Sequence, residues 1–346
     1  MKFCLLAIFS ALFSALSGTS ALAAPLTAPL KYVALGDSLT AGTRAAGLTA
    51  ESQRGAYPAL FARAVGAAFV VPETRAPGCP PPLGARFDPQ NSCARANPGK
   101  PGSNFAVPGA RVEDLLTRTA ANVQGEVARK VYSLILGKSD TQVSAALKAR
   151  PTLITLWIGA NNVLPAAVRG DPGLATPPAM FEREYARILD ALKPTAATVV
   201  PFTVPDVTVS PLLTGGPRLA ALGADANCQT SPNKVAASAL LSGEQVSCEA
   251  PYALTPREAA SIRATVNAYN ASIRKLALER GLKVFDVNAL IGTLQKSEFL
   301  PGDFGQPFGP DFSQDGVHPS SLGQRKIARG LEDFAKSNLG LSVPVQ

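Results

Sequence analysis

Histidine is nearly missing from this chain: His318 is the only one in 346 residues. Metal sites built on imidazoles are therefore excluded, and none of the five cysteines stands in a Cys-x-x-Cys pair that would offer a zinc site instead. Charge is also scarce, at 17% of residues. The basic residues form no run and no aromatics are interleaved with them, so the electrostatic footprint of a nucleic-acid-binding protein is absent. Beyond the amino-terminal stretch, no apolar run is long enough to span a bilayer. There is no internal repeat, no Gly-x-Ser-x-Gly elbow, no P-loop and no dinucleotide-binding glycine fingerprint, which removes the motif from three common α/β readings.

Met1-Lys2 is followed by Phe3-Cys4-Leu5-Leu6-Ala7-Ile8-Phe9 and, after more apolar residues, by Ala21-Leu22-Ala23. A short basic start, an apolar stretch and a small-x-small ending predict a secretory signal peptide over 1–23, with a mature start at Ala24 and a secreted or periplasmic location. Ser10, Ser14, Ser17, Gly18 and Ser20 interrupt the stretch too often for a retained membrane anchor. Cys79, Cys93, Cys228 and Cys248 then remain, an even set that in an exported chain favours disulfides. Three pairings exist. The local one, Cys79 with Cys93 and Cys228 with Cys248, is expected, because each pair closes a loop rich in Pro, Gly, Asn and Ser. Loss of Lys2 lowers Lys+Arg from 33 to 32 against 25 acids, so the mature chain carries about +7. Such a balance suits simple solubility and also transient contact with lipid or anionic surfaces.

The mature chain of about 320 residues fits one α/β domain, 24–346, with insertions near 72–103 and 207–252. Lys31 to Leu35 reads as a short buried strand, Tyr57 to Val65 as a helix and Phe69 to Val71 as a strand. Helical patches follow over 112–136 and 141–147, then the apolar run Thr152 to Ile158. A helix over 179–192 precedes a strand over 198–202. Thr255-Pro256-Arg257-Glu258 is a capping box with proline at the first helical position, opening a helix that stops at Gly281. A fifth strand is expected over 282–287 and a closing helix over 322–334. Strands alternating with helices predict a three-layer α/β/α sandwich around a five-stranded parallel sheet.

Chemistry concentrates at the two ends of the mature chain. Ser38, in Gly36-Asp37-Ser38-Leu39, would emerge at the carboxyl end of the first strand, where open α/β sheets place their ligands. A serine hydroxyl needs a base, and His318, in Asp315-Gly316-Val317-His318, is the one imidazole that could serve. Asp315-Gly316 can turn a carboxylate back toward the ring, and Pro319 biases His318 toward extended backbone. Asp37 reads as structural, fixing the turn around Ser38.

Two further segments, Asn104-Phe105-Ala106-Val107-Pro108-Gly109-Ala110 and Gly159-Ala160-Asn161-Asn162, complete an ordered set of four blocks. Over residues 30–338 the chain resembles the SGNH, or GDSL, hydrolase family, whose flavodoxin-like α/β/α fold the resemblance implies. It also implies that Ser38 is the nucleophile, His318 the base and Asp315 its orienting acid. The oxyanion hole would be formed by the N–H groups of Ser38 and Gly109 and the amide of Asn161. The family's third block usually ends in aspartate where this chain has Asn162, which puts the contact that fixes that loop in question. The expected activity is hydrolysis of carboxylic esters, as an esterase or lipase, with no metal and no organic cofactor. The alternatives are a carbohydrate deacetylase using the same residues, and a catalytically inactive secreted binding protein of the same fold. The expected partner is a small-molecule or lipid ester acted on by a monomer, with no nucleic acid. The leucines of 207–252 are expected to wall an acyl-chain pocket or to pack onto the sheet.

Overall fold

A computed structural model describes residues 30–341 apart from 89, 242, 244 and 304. The leader expected over 1–23 lies outside them. Three parallel strands form the central sheet in the order β1 (Tyr32–Gly36), β2 (Leu153–Trp157), β3 (Thr198–Pro201). Every residue of β1 and β2 is buried, as their unbroken apolar character requires of strands covered on both faces. Val33 pairs with Ile154, and Ile154 with Val199.

Side chains then part by period two. Val33, Leu35, Ile154, Leu156 and Val199 enter one core with the helices Gln142–Ala149, Pro178–Leu192 and Pro256–Glu279. Tyr32, Ala34, Trp157 and Val200 enter the other, with the helices Tyr57–Ala64 and Ser321–Leu339. This is the three-layer arrangement expected, and the Thr255–Glu258 capping box forms as read. Between 112 and 136 the helical patches resolve into Asp114–Thr117 and Glu126–Leu136.

The expected five strands are corrected to three with bridged flanks. Beside β1, the Ala34 N–H donates to the Ser103 carbonyl and the Phe105 N–H to the Ala34 carbonyl, at 3.0 and 2.9 Å. The Val107 N–H also donates to the Gly36 carbonyl at 3.1 Å, but no ladder develops, because Gln142 Oε1 takes the Gly36 N–H that would continue it and Pro108 soon ends the run. The segment expected to be a strand over 69–71 follows the Ala68 bridge to Lys31 and accepts the Ser103 N–H at the Val70 carbonyl, at 2.7 Å, but forms no strand before Pro72. Beyond β3, Phe285 bridges Phe202, but Asp286 at once caps the helix Val287–Gly292 by accepting from the Ala289 N–H.

The 207–252 region contains a feature not anticipated: a two-stranded antiparallel sheet of β4 (Leu213–Gly215) and β5 (Lys234–Ala236). Cys79 is bonded to Cys93 and Cys228 to Cys248, the local pairing, with Cα atoms 4.4 and 5.1 Å apart. Among the described residues, no helix is long and apolar enough to cross a membrane.

Candidate active site

At the carboxyl end of β1 the chain turns sharply into the short helix Ser38–Ala41. Gly36 is required there, because a Cβ would lie 2.3 Å from the Trp157 carbonyl oxygen. Gln142 clamps the same residue: its Oε1 accepts from the Gly36 N–H at 2.9 Å and its Nε2 donates to the Gly36 carbonyl at 2.8 Å. Downstream, Gln324 Nε2 donates to the Leu39 carbonyl and Asn104 Nδ2 to the Thr40 carbonyl. Asp37 is wholly buried, and its Oδ1 accepts from the Leu39 N–H at 3.0 Å. Its Oδ2 has no partner among the described residues, and burial pushes the carboxyl up to about 7. Ser38 itself lines a cavity.

His318 stands on the same cavity with its Nδ1 2.8 Å from Asp315 Oδ2. Asp315 is held tightly. Its Oδ1 accepts from the N–H groups of Val317 and His318 and from Ser313 Oγ, each at 2.9 Å, and its Oδ2 accepts from the Ala46 N–H at 2.6 Å. Burial works against its charge, but His318 and these donors outweigh it and hold the carboxyl well below the usual range. Burial likewise opposes an imidazolium at His318, yet the Asp315 carboxylate prevails and raises its pKa above the ordinary histidine value. The Nδ1 contact leaves Nε2 for the cavity. Among the described residues no hydrogen bond joins it to Ser38 Oγ, a contact that in such sites often tightens only with substrate bound.

Three donors surround the space beside Ser38. Gly109, with φ at +81°, takes a conformation that favours glycine, and a Cβ there would meet nothing within 4 Å, so its backbone fronts open space. Asn161 uses one amide hydrogen on the Ala110 carbonyl, at 3.0 Å, and keeps the other. The N–H groups of Ser38 and Gly109 have no partner among the described residues. Asn162, the departure from the family pattern, is fully buried and fully engaged. Its Oδ1 accepts from the Val112 N–H at 2.9 Å, while its Nδ2 donates to Glu113 Oε2 and Thr176 Oγ1, both at 3.0 Å. An amide thus ties the Asn161 loop to the Gly109 loop, and its donor half suits the neighbouring Glu113 as a carboxylate could not.

Ser38, Gly109, Asn161, Asp315 and His318 all line one cavity of about 350 Å³. Its other walls include Leu39, Leu164, Val207, Val209, Ile291 and Phe312. The 207–252 region contributes through its first residues, Val207, Val209 and Ser210. Leu212 and Leu213 do not line the cavity, and Leu213 is buried in the core, so of the two alternatives expected of these leucines Leu213 takes the packing one. Pro80, beside Cys79, supplies wall from the first disulfide loop. Gln142 and Gln324 were not foreseen; each acts across more than a hundred positions and carries no local motif. Among the described residues no cluster of His, Cys, Asp and Glu could hold a metal ion.

No curated protein matches the chain. Similar solved structures include a catalytic mutant of an acetylxylan esterase from Geobacillus stearothermophilus, at 14% identity over 93% of this chain and 100% of that one, TM-score 0.44. A lipase/acylhydrolase from Enterococcus faecalis has 13% identity, covers 92% and 100%, and gives a TM-score of 0.42. An alpha/beta hydrolase enzyme from the metagenome of Lake Arreo, Spain, has 16% identity, covers 91% and 98%, and gives 0.44. The family model of GDSL-like lipases and acylhydrolases matches residues 32–331. Because that match runs from β1 into the last helix and takes in every residue that lines the cavity, the chain belongs to the GDSL-like lipase/acylhydrolase family.

Proposed function

We propose that the protein is an exported serine esterase or lipase, a single domain acting as a monomer, that hydrolyses carboxylic esters through an acyl-enzyme on Ser38. The observation that carries this reading is the Asp315–His318 pair, joined at 2.8 Å, on the cavity that Ser38 also lines. His318 Nε2 takes the Ser38 proton as Oγ attacks the ester carbonyl. Charge that develops on the carbonyl oxygen is met by the N–H groups of Ser38 and Gly109 and the free amide hydrogen of Asn161. His318 then protonates the departing alcohol, activates a water that releases the acid, and returns to its starting state. Walls that are mostly apolar favour an acyl chain over a sugar, so we place lipid or simple alkyl esters ahead of carbohydrate acetates. The two disulfides fit an oxidising compartment, secreted or periplasmic.

The test is direct. A fluorophosphonate probe should label the wild type but not Ser38→Ala. Either Ser38→Ala or His318→Ala should lower ester turnover by roughly three orders of magnitude or more, with unchanged circular dichroism. Folded variants that retain wild-type turnover would overturn the mechanism. A chain-length profile over neutral esters separates esterase from lipase.

A further inference from the structure

Two charged side chains on the apolar cleft, Asp206 and Lys296, take no part in ester hydrolysis. Among the described residues the Lys296 ammonium has neither an ion-pair nor a hydrogen-bond partner. The acid nearest to hand, Asp206, is already committed. Its Oδ2 accepts from Arg263 Nε at 2.8 Å and its Oδ1 from the Thr208 N–H and Oγ1 at 2.9 and 2.6 Å. A second lysine, Lys234, donates to the Thr208 carbonyl at 3.3 Å, and its like charge bears on Lys296. Partial burial and then the Lys234 ammonium keep the Lys296 pKa below the ordinary lysine range, which Asp206 offsets only in part.

The backbone that carries Lys296 is firmly set. The Gln295 N–H donates to Asp311 Oδ2 at 2.7 Å and the Ser297 N–H to the Phe308 carbonyl at 3.0 Å, while Gly309 packs so close that a Cβ would lie 3.0 Å from the Lys296 Cα. Of these three cations only Arg263 is ion-paired with Asp206; Lys234 is held by a carbonyl, and Lys296 is the one that lines the cleft. Lys296 is exposed beside an apolar wall, so its ammonium gains a charge-assisted partner in a ligand whose chain packs on that wall and which brings its own anion.

We propose that Lys296, reinforced by Lys234, is an anion receptor at the cleft, and that the preferred substrates join an apolar chain to a phosphate or carboxylate group. The substrate class rests on the esterase reading; the receptor itself does not.

Calorimetry separates the two. Hexyl phosphate should bind the wild-type protein at least tenfold more tightly than Lys296→Met, a difference of about 1.4 kcal/mol. Lys296→Arg should keep most of the affinity, and hexan-1-ol should bind all three proteins alike. Kinetics then locate the anion. On the alcohol side, monobutyrin is compared with its glycerol 3-phosphate counterpart. On the acyl side, ethyl pentanoate is compared with monoethyl glutarate. In one arm the ratio of kcat/KM for the anionic to the neutral ester should fall at least tenfold in Lys296→Met. Equal hexyl phosphate affinity in wild type and Lys296→Met, or unchanged ratios in both arms of an active enzyme, would overturn the proposal. Lys296-dependent binding by a protein that hydrolyses no ester would instead uphold the receptor and reject the esterase reading.

Discussion

As the base of the proposed mechanism His318 works only when neutral, so its pKa would set the acid limb of activity. Burial resists its charge, but the Asp315 carboxylate raises it above the ordinary value, and kcat/KM should decline on acidification through an apparent pKa above about 6.5. Asp315→Asn keeps the size and removes the charge, which should move that limb to lower pH and cut the plateau by roughly one to four orders of magnitude. A pH–rate profile reads both, and an unmoved limb would show that Asp315 does not tune the base. Stability has the opposite dependence: the raised His318 pKa stabilises the fold below the unfolded value, and that contribution is lost as pH rises through the folded one. Asp37 adds to this trend. Its folded pKa of about 7 exceeds the unfolded 3.8, so from roughly pH 4 to 7 the unfolded chain releases a proton that the folded one keeps. Wild-type stability should therefore fall across that window, and Asp37→Asn, which retains an acceptor for the Leu39 N–H, should gain on the wild type as pH rises. Thermal melts at several pH values measure the gap; a constant gap would mean that Asp37 titrates as an ordinary carboxyl.

Elements hold these residues through side-chain ties that the sequence pattern reveals unevenly. Asn162 is the clearest test, since it joins the loop of Asn161 to the loop after Gly109 through the Val112 N–H and Glu113. Asn162→Asp would set a second carboxylate against Glu113 Oε2, now 3.0 Å from an amide donor, and should cost about 1–3 kcal/mol of stability with a matching loss of kcat/KM. Adding Glu113→Gln should recover most of both, whereas a neutral single variant would show that the tie does not position the oxyanion loop. The four blocks were legible because each is a short local pattern, two of them on the turns that follow β1 and β2. β1 and β2 were legible because strands covered on both faces are apolar throughout. The outer strands were not, because pairing beyond Phe285 and beside Gly36 is cut short by side chains, Asp286 and Gln142, that compete for backbone groups. Gln142 and Gln324 escaped for a different reason: a buried glutamine that clamps a remote backbone looks, in sequence, like any solvated helix residue.

At the scale of the whole molecule, two disulfide-closed excursions lie around one sheet: the first is strapped toward Asp315 itself, while the second touches that turn through the Leu212 N–H and Ser210 Oγ on the Gly316 carbonyl, both outside the Cys228–Cys248 loop. The Cys79 N–H donates to the Leu48 carbonyl and the Leu48 N–H to the Pro80 carbonyl, strapping the first loop to the segment that carries Ala46. Ala46 in turn donates to Asp315, whose Oδ2 lies 2.8 Å from His318 Nδ1. Pro80 and Ala46 both line the cavity. The second bridge sits in a separate small core of Leu219, Val235, Val246 and Ala253, none of which lines it. By loop length, with sequence separations of 14 and 20, the two bridges should stabilise by similar amounts, about 3 kcal/mol each in the chain-entropy account. Replacing either pair by alanine should then lower the melting temperature comparably. Assayed well below that temperature on a neutral short-chain ester, however, the Cys79→Ala/Cys93→Ala protein should lose kcat/KM severalfold, while the Cys228→Ala/Cys248→Ala protein stays near the wild type. Equal losses, or none in the first protein, would show that the strap from the first loop through Ala46 to Asp315 does not reach the base.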